Sequence, residues 1–174
     1  MLTQTAAIVD SSTLINLAAT DLLGEVVRHI SPNCYICRSI VEQECLYIRS
    51  ADGTQVEELR PGQWIEDGIF SECEPTDAEK ETFVTYAASL DDGEAMCLAL
   101  ASSRQLVVVI DDRKGQRFAG EQGVPVITTS AIMEHWGREK TPAEIAAALR
   151  KIEARARFRP SEDDPNYEWW MRNH

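Results

Sequence analysis

Leu106-Val107-Val108-Val109-Ile110-Asp111-Asp112 is the stretch whose reading decides the fold. Five apolar residues in a row, four of them β-branched, make a strand buried on both faces, and such strands belong to parallel sheets covered by helices. The two aspartates end it abruptly. Upstream, Ala95-Met96-Cys97-Leu98-Ala99-Leu100-Ala101 reads as a nearly all-apolar helix headed by Glu94. Downstream come a helix over 113–122 closed by Gly123, a strand over 125–128, a short helix over 130–136, and a last helix opened by Thr141-Pro142-Ala143-Glu144. That last start carries a cap, a proline at the first position and a capping glutamate.

The same alternation holds toward the N-terminus. Ala6-Ala7-Ile8-Val9 is a short strand ended by Asp10, followed by helical stretches over 11–19 and 21–30 and a strand over 34–37. A helix is expected over 39–49, with Val41, Cys45 and Ile48 as its apolar stripe. Residues 50–75 are rich in Gly, Pro and acid, with short strands expected at 63–65 and 69–73. Thr76 with Glu79 then forms a capping box that starts a helix running to about residue 90. Strands alternating with helices predict an α/β fold, a three-layer α/β/α sandwich around a central parallel sheet.

At 174 residues the chain suits one compact domain. We divide it into an α/β domain over 1–149 and a C-terminal basic and aromatic extension over 150–174. The extension carries Arg150, Lys151, Arg155, Arg157 and Arg159, then Glu162, Asp163 and Asp164, then Trp169 and Trp170. Its basic run could bind RNA or an acidic partner, or simply offset the acids beside it. Composition, at 44% apolar and 26% charged, is that of a globular protein rather than a disordered one. No apolar run approaches the ~20 residues that span a bilayer, and the first residues lack the marks of a signal peptide. The expected setting is the cytoplasm, with Cys34, Cys37, Cys45, Cys73 and Cys97 as reduced thiols. Cys34 and Cys37 form a CxxC on a strand, where residues three apart point to opposite faces, so two packed thiols are favoured over a metal or redox pair.

A net charge of −12 at first argues against a polyanionic partner. However, residues 66–94 hold ten acids and one lysine, so −9 of it is confined to that stretch. The rest of the chain does not exclude nucleic acid.

Ligands of open parallel sheets bind beyond the carboxyl ends of the strands, and there stand Asp10 and the Asp111-Asp112 pair. Each could instead cap the helix that follows. Glu94 likewise has capping-box spacing from Asp91, although its helix is otherwise apolar. On the 39–49 helix, Glu42 is explained by a box with Ser39. Glu44 lies within the apolar stripe, where a carboxylate needs a cationic partner or a metal, and is the preferred candidate. Converging carboxylates repel, raise one another's pKa, and call for a hard divalent cation, Mg²⁺ or Mn²⁺. Arg113, Lys114 and Arg117 follow the aspartate pair on one helix and could hold phosphates.

Ile8-Val9-Asp10-Ser11-Ser12-Thr13-Leu14-Ile15, Gly93-Glu94-Ala95 and Val109-Ile110-Asp111-Asp112-Arg113-Lys114-Gly115, in that order, resemble PIN-domain proteins. The match is to the prokaryotic branch holding the toxin ribonucleases of toxin–antitoxin pairs, and it covers roughly residues 5–137. The resemblance implies a PIN-like parallel sheet sandwiched by helices, and Mg²⁺- or Mn²⁺-dependent endoribonuclease activity leaving a 3′-hydroxyl and a 5′-phosphate. It makes Asp10, Glu44, Glu94 and Asp112 the catalytic metal ligands, with Asp111 as a further ligand or water-orienting group. Ser12 or Thr13 would be the hydroxyl neighbour of Asp10, and with Arg113 and Lys114 would meet the RNA substrate. The resemblance further implies a homodimer and, for toxin members, a small antitoxin partner.

Absences point the same way. His29, His135 and His174 are scattered, so a metal-free ribonuclease built on histidine is disfavoured. No G-x-S-x-G, Walker loop or G-x-G-x-x-G occurs. A metal-dependent phosphatase with an aspartyl nucleophile would want an acid two residues after Asp10, where Ser12 stands. The alternative from another class is a non-catalytic PIN-like scaffold that binds RNA or protein.

Overall fold

The computed structural model describes residues 1–45, 47–50 and 54–174. In chain order the first half holds β1 (Ala7–Val9), α1 (Ser11–Ala18), α2 (Leu23–Val27), β2 (Cys34–Ile36), α3 (Arg38–Glu44), β3 (Tyr47–Arg49), β4 (Val56–Glu58), α4 (Pro61–Glu66) and β5 (Ser71–Glu72). The second half holds α5 (Asp77–Ala87), α6 (Asp92–Arg104), β6 (Val107–Val109), α7 (Arg113–Glu121), β7 (Val126–Ile127), α8 (Thr129–Gly137), α9 (Pro142–Lys151), a π-helical turn over Ile152–Ala156, and α10 (Tyr167–Asn173).

Five strands form one sheet in the order β5-β2-β1-β6-β7, and every pairing in it is parallel. The alternating side chains of the central strands feed two separate cores. Ala7, Val9, Val107 and Val109 pack with Leu14, Leu17, Val26, Ile132 and Trp136 on one side. Ile8, Val108 and Ile110 pack with the apolar run of α6 and with Ala119 of α7 on the other. The architecture is therefore the expected α/β/α sandwich. Cys34 belongs to the first core and Cys37 to the second, so the CxxC thiols lie on opposite sides of the sheet. Burial pushes the Cys34 and Cys45 thiols up to about 12, out of the reactive range.

Chain order reverses between β1 and β6. From β1 the chain moves through α1 and α2 to β2, and from β6 it moves through α7 to β7 on the far side. The register pairs Val9 with Val109, and Asp10 N donates to Val109 O at 3.0 Å, so both strands end level at the same rim. The capping boxes expected at Thr76 with Glu79 and at Thr141 with Glu144 form.

Three expectations need correction. The helix expected over 39–49 ends at Glu44, and Ile48 belongs instead to β3, which pairs with β4 in an antiparallel hairpin. Leu46 of that expected helix lies outside the described residues. The expected strand at 63–65 is inside α4, which Pro61 starts from a first-turn position where its missing N–H costs nothing. Finally, the capping box expected between Ser39 and Glu42 does not form: Cys37 caps α3 without a side-chain bond, and Ser39 bonds Glu74 instead. In the basic run of the extension, Arg150, Arg157 and Arg159 are exposed and Arg155 is turned inward. Arg155 is 6% exposed and donates to Arg49 O at 3.0 Å, Ala19 O at 2.9 Å and Glu57 at 2.5 Å, with Asp21 as a further partner.

The expected boundary at 149/150 falls within α9, and the residues beyond it pack on the first core. Trp170 is fully buried; its Nε1 donates to Glu153 at 2.9 Å and Phe158 meets its ring edge-on at 5.7 Å. Trp170→Ala is therefore expected to destabilise the whole fold by about 3–5 kcal/mol, seen as one cooperative shift in urea denaturation. A change of about 0.5 kcal/mol or less would mean that the extension is a loose appendage.

Candidate metal and catalytic centre

Asp10 leaves β1 in extended conformation and caps α1, so its side chain turns back over the first turn of that helix. It is 3% exposed, and its Oδ2 accepts from Ser12 N at 3.0 Å and Ser12 Oγ at 2.5 Å. Burial raises its pKa above the ordinary range and the Asp91 charge adds to this, while the Ser12 bonds oppose it.

Glu94 sits in the first turn of α6, behind the N-cap Asp91, whose Oδ1 accepts from Glu94 N at 2.9 Å. This is half a capping box. No full capping box closes: the Glu94 carboxylate is 8% exposed and feels the Asp91 backbone N–H only as a minor lowering influence. Burial first, then the charges of Asp91, Asp112 and Asp10, push its carboxyl up to about 7.

Glu44 is the last residue of α3 and is exposed at the rim, not enclosed in an apolar stripe. Its carboxylate lies on Gly93, where an added Cβ would come within 2.4 Å of Glu44 Oε2. Only a glycine at that point of α6 allows the approach. Burial, then Asp10, Asp91 and Asp92, raise its pKa, against a lowering influence from Ser11. Glu42 faces elsewhere, toward Arg38 at 3.6 Å. Among the described residues no lysine or arginine forms an ion pair with Glu44.

The aspartate pair divides. Asp111 Oδ1 accepts from Thr129 N at 2.8 Å, and its Oδ2 accepts from Thr129 Oγ1 at 2.5 Å, Asn16 Nδ2 at 2.9 Å and Thr13 Oγ1 at 3.3 Å. It thereby ties α1 and α8 to the end of β6. Asp112 is exposed, caps α7 by accepting from Lys114 N at 2.6 Å and Gly115 N at 2.9 Å, and adds its charge to the field at Glu94. Ser12 and Thr13 thus spend their hydroxyls on Asp10 and Asp111. Arg113 pairs with Asp163 at 2.8 Å, while Lys114 and Arg117 are exposed and unpaired among the described residues.

The structure therefore brings Asp10, Glu44, Glu94 and Asp112 around one rim of the sheet and makes Asp111 a structural hub beside them. Asp91, the N-cap of α6, and Asp92 beside it add their charges to this field. Among the described residues no three His, Cys, Asp or Glu side chains are drawn close enough together to enclose a metal ion. No helix among them is long and apolar enough to cross a membrane.

Glu94 gives a pH test. Its folded value of about 7 lies above the ordinary 4.5, so the folded protein takes up this proton ahead of the unfolded chain. The resulting stability is complete below about pH 4.5 and is lost as pH rises through about 7. In metal-free buffer the wild type is expected to lose on the order of 2 kcal/mol more than Glu94→Gln between about pH 5 and about pH 8 in chemical denaturation. Parallel curves for the two proteins would place Glu94 in an ordinary solvated setting.

A family model described as a PIN domain fits residues 6–165. No curated protein and no solved structure matches the chain.

Proposed function

The chain belongs to the PIN-domain family, a nuclease-type fold acting on nucleic acid, and from that premise we propose that it is a metal-dependent endoribonuclease. The observation that carries the reading is the set of like-charged carboxylates at the β1/β6 rim, with no lysine or arginine among them and with Glu94 held near 7. Such a set is costly in isolation and is relieved by a cation.

The donors fit Mg²⁺ or Mn²⁺. They are all oxygens, Gly93 leaves the space in which Glu44 lies, and the buried Ser11 hydroxyl is directed to the Glu44 carboxylate beside them. Asp10, Glu44, Glu94 and Asp112 would hold the ion, with Asp111 steadying the strand end behind them. A divalent cation there supplies a water of lowered pKa and offsets charge on a phosphodiester under attack. Asp10 is fixed for this by Ser12, and Glu44 can adjust because it is exposed. Glu94, titrating near neutrality, can hold or release a proton at its carboxyl group. Arg113 and Lys114 lie where they can meet phosphate oxygens. The reading extends to a cytoplasmic, homodimeric toxin neutralised by a small antitoxin.

A second reading, a non-catalytic scaffold that binds RNA or protein, is favoured by one observation. Asp10 and Asp112 both already serve as helix caps. Cleavage of a mixed single-stranded RNA pool with Mg²⁺ or Mn²⁺ separates the two. Asp10→Asn keeps the cap and removes the charge, and is expected to slow cleavage by about a hundredfold or more. Equal rates in both proteins, or no cleavage by a demonstrably metal-loaded wild type, would falsify the nuclease reading.

Gly93→Ala probes the same centre from the backbone side. The new methyl must push the Glu44 carboxylate aside, which a flexible side chain allows, while alanine favours the helix by about 1 kcal/mol. The expected outcome is an unchanged or higher melting temperature together with weaker Mn²⁺ stabilisation and slower cleavage. Unaltered metal response would remove Glu44 from the ligand set.

A further inference from the structure

A groove of about 700 Å³ opens between the first turns of α7 and the segment 158–165. Asp111 and Asp112 are part of its lining, so the groove borders the carboxylate centre at Asp112. Arg113 and Arg117 lie one helical turn apart along its wall. Arg117 is exposed and has no partner among the described residues. Arg113 is occupied by an anion of the chain itself: its NH2 group meets Asp163 at 2.8 Å and its Nε donates to Ser161 at 3.2 Å.

Two aspartates side by side differ in how they are held. Asp164 accepts from Ser130 Oγ at 2.8 Å on each oxygen and from Asn166 N at 2.8 Å, which anchors the wall to α8. Asp163 holds nothing but Arg113, and the two side chains are 80% and 57% exposed. Exposed pairs of this kind contribute about 1 kcal/mol or less, so exchange of Asp163 for another anion costs little. A guanidinium favours phosphate oxygens, which it can meet in a bidentate way. Phe158, steadied by Trp170, adds an aromatic edge to the same groove. Arg159 also lines it but is committed to Glu153 at 2.5 Å.

We propose that this groove is a binding track for single-stranded nucleic acid flanking the reactive phosphate. Arg113 and Arg117 take a backbone phosphate there, and Asp163 is the internal anion that the phosphate displaces. The proposal rests on the nuclease reading for where the strand goes next, but not for its own test. Continuity with the carboxylate centre selects nucleic acid over an acidic protein as the occupant.

The test is fluorescence anisotropy of a labelled short oligouridylate against the full chain, in EDTA and again with Mg²⁺, as salt is varied. Arg117→Ala and Arg113→Ala are each expected to weaken binding several-fold and to lower the slope of log K against log salt by about 0.7 per lost phosphate contact. Asp163→Asn is expected to tighten binding, and by more than Glu162→Gln, an equal change of charge on the neighbouring residue. All four side chains are exposed, so the variants fold. Unchanged affinity in both arginine variants overturns the proposal, as does an Asp163→Asn effect no larger than that of Glu162→Gln. A short oligoglutamate that competes better than the oligouridylate assigns the groove to an acidic protein and also overturns it. Binding with these variant effects but without cleavage supports the groove while removing the nuclease reading.

Discussion

The parallel pairing of β1 with β6 is the constraint on which the rest of the structure depends. Val9 beside Val109, sealed by the bond from Asp10 N to Val109 O, makes two strands far apart in sequence end at one level. Chain direction reverses across that pair, so the helices that follow the two strands leave on opposite faces and open a crevice between their N-termini. Acids at the strand ends face one another across it. A slip of one residue would turn every valine of the pair to the wrong core and send Asp10 away from Glu94. Packing and chemistry are thus specified by the same few hydrogen bonds.

The acids of the rim serve two purposes at once. Asp10, Asp91 and Asp112 each satisfy backbone N–H groups at a helix start, where the helix dipole also favours negative charge. These bonds lower the cost of bringing carboxylates together without removing it, because burial and mutual repulsion still raise the pKa of Asp10, Glu44 and Glu94. Glu94 keeps a carboxyl raised to about 7 because burial and the charges of Asp91, Asp112 and Asp10 outweigh the Asp91 backbone N–H. A folded chain with this rim therefore keeps an unmet demand for positive charge at one place on its surface.

What the sequence made legible follows from how local each signal is. The central strands declare themselves through β-branched runs, and the helices of the second half through caps set three residues apart, all within a single turn or strand. Glu44 was readable as a site residue for a reason the structure replaces. Along the sequence it falls in an apolar stripe ending at Ile48, but the helix stops at Glu44, and what brings it to Gly93 is the packing of α3 against α6. Asp91 was hidden by its own good explanation as a cap. The aspartate pair could not be resolved from sequence, since neighbouring residues point in opposite directions and the donors that claim Asp111 come from Thr13, Asn16 and Thr129, distant along the chain. The β3–β4 hairpin was missed because its fixing contact, Arg155, lies about a hundred residues downstream.

That arginine has a consequence for the order in which the molecule can assemble. Arg155 fastens the end of α1 and the β3–β4 hairpin from the C-terminal side, and Trp170 fills the core that β1 and α1 began. As the chain emerges during synthesis, the cover of one side of the sheet stays incomplete until residues beyond 150 arrive, and contacts of such long sequence separation form late. The other side, built by α5, α6 and α7, can close earlier. The carboxylate rim lies where these two halves meet, so the centre becomes competent only when nearly the whole described chain is in place.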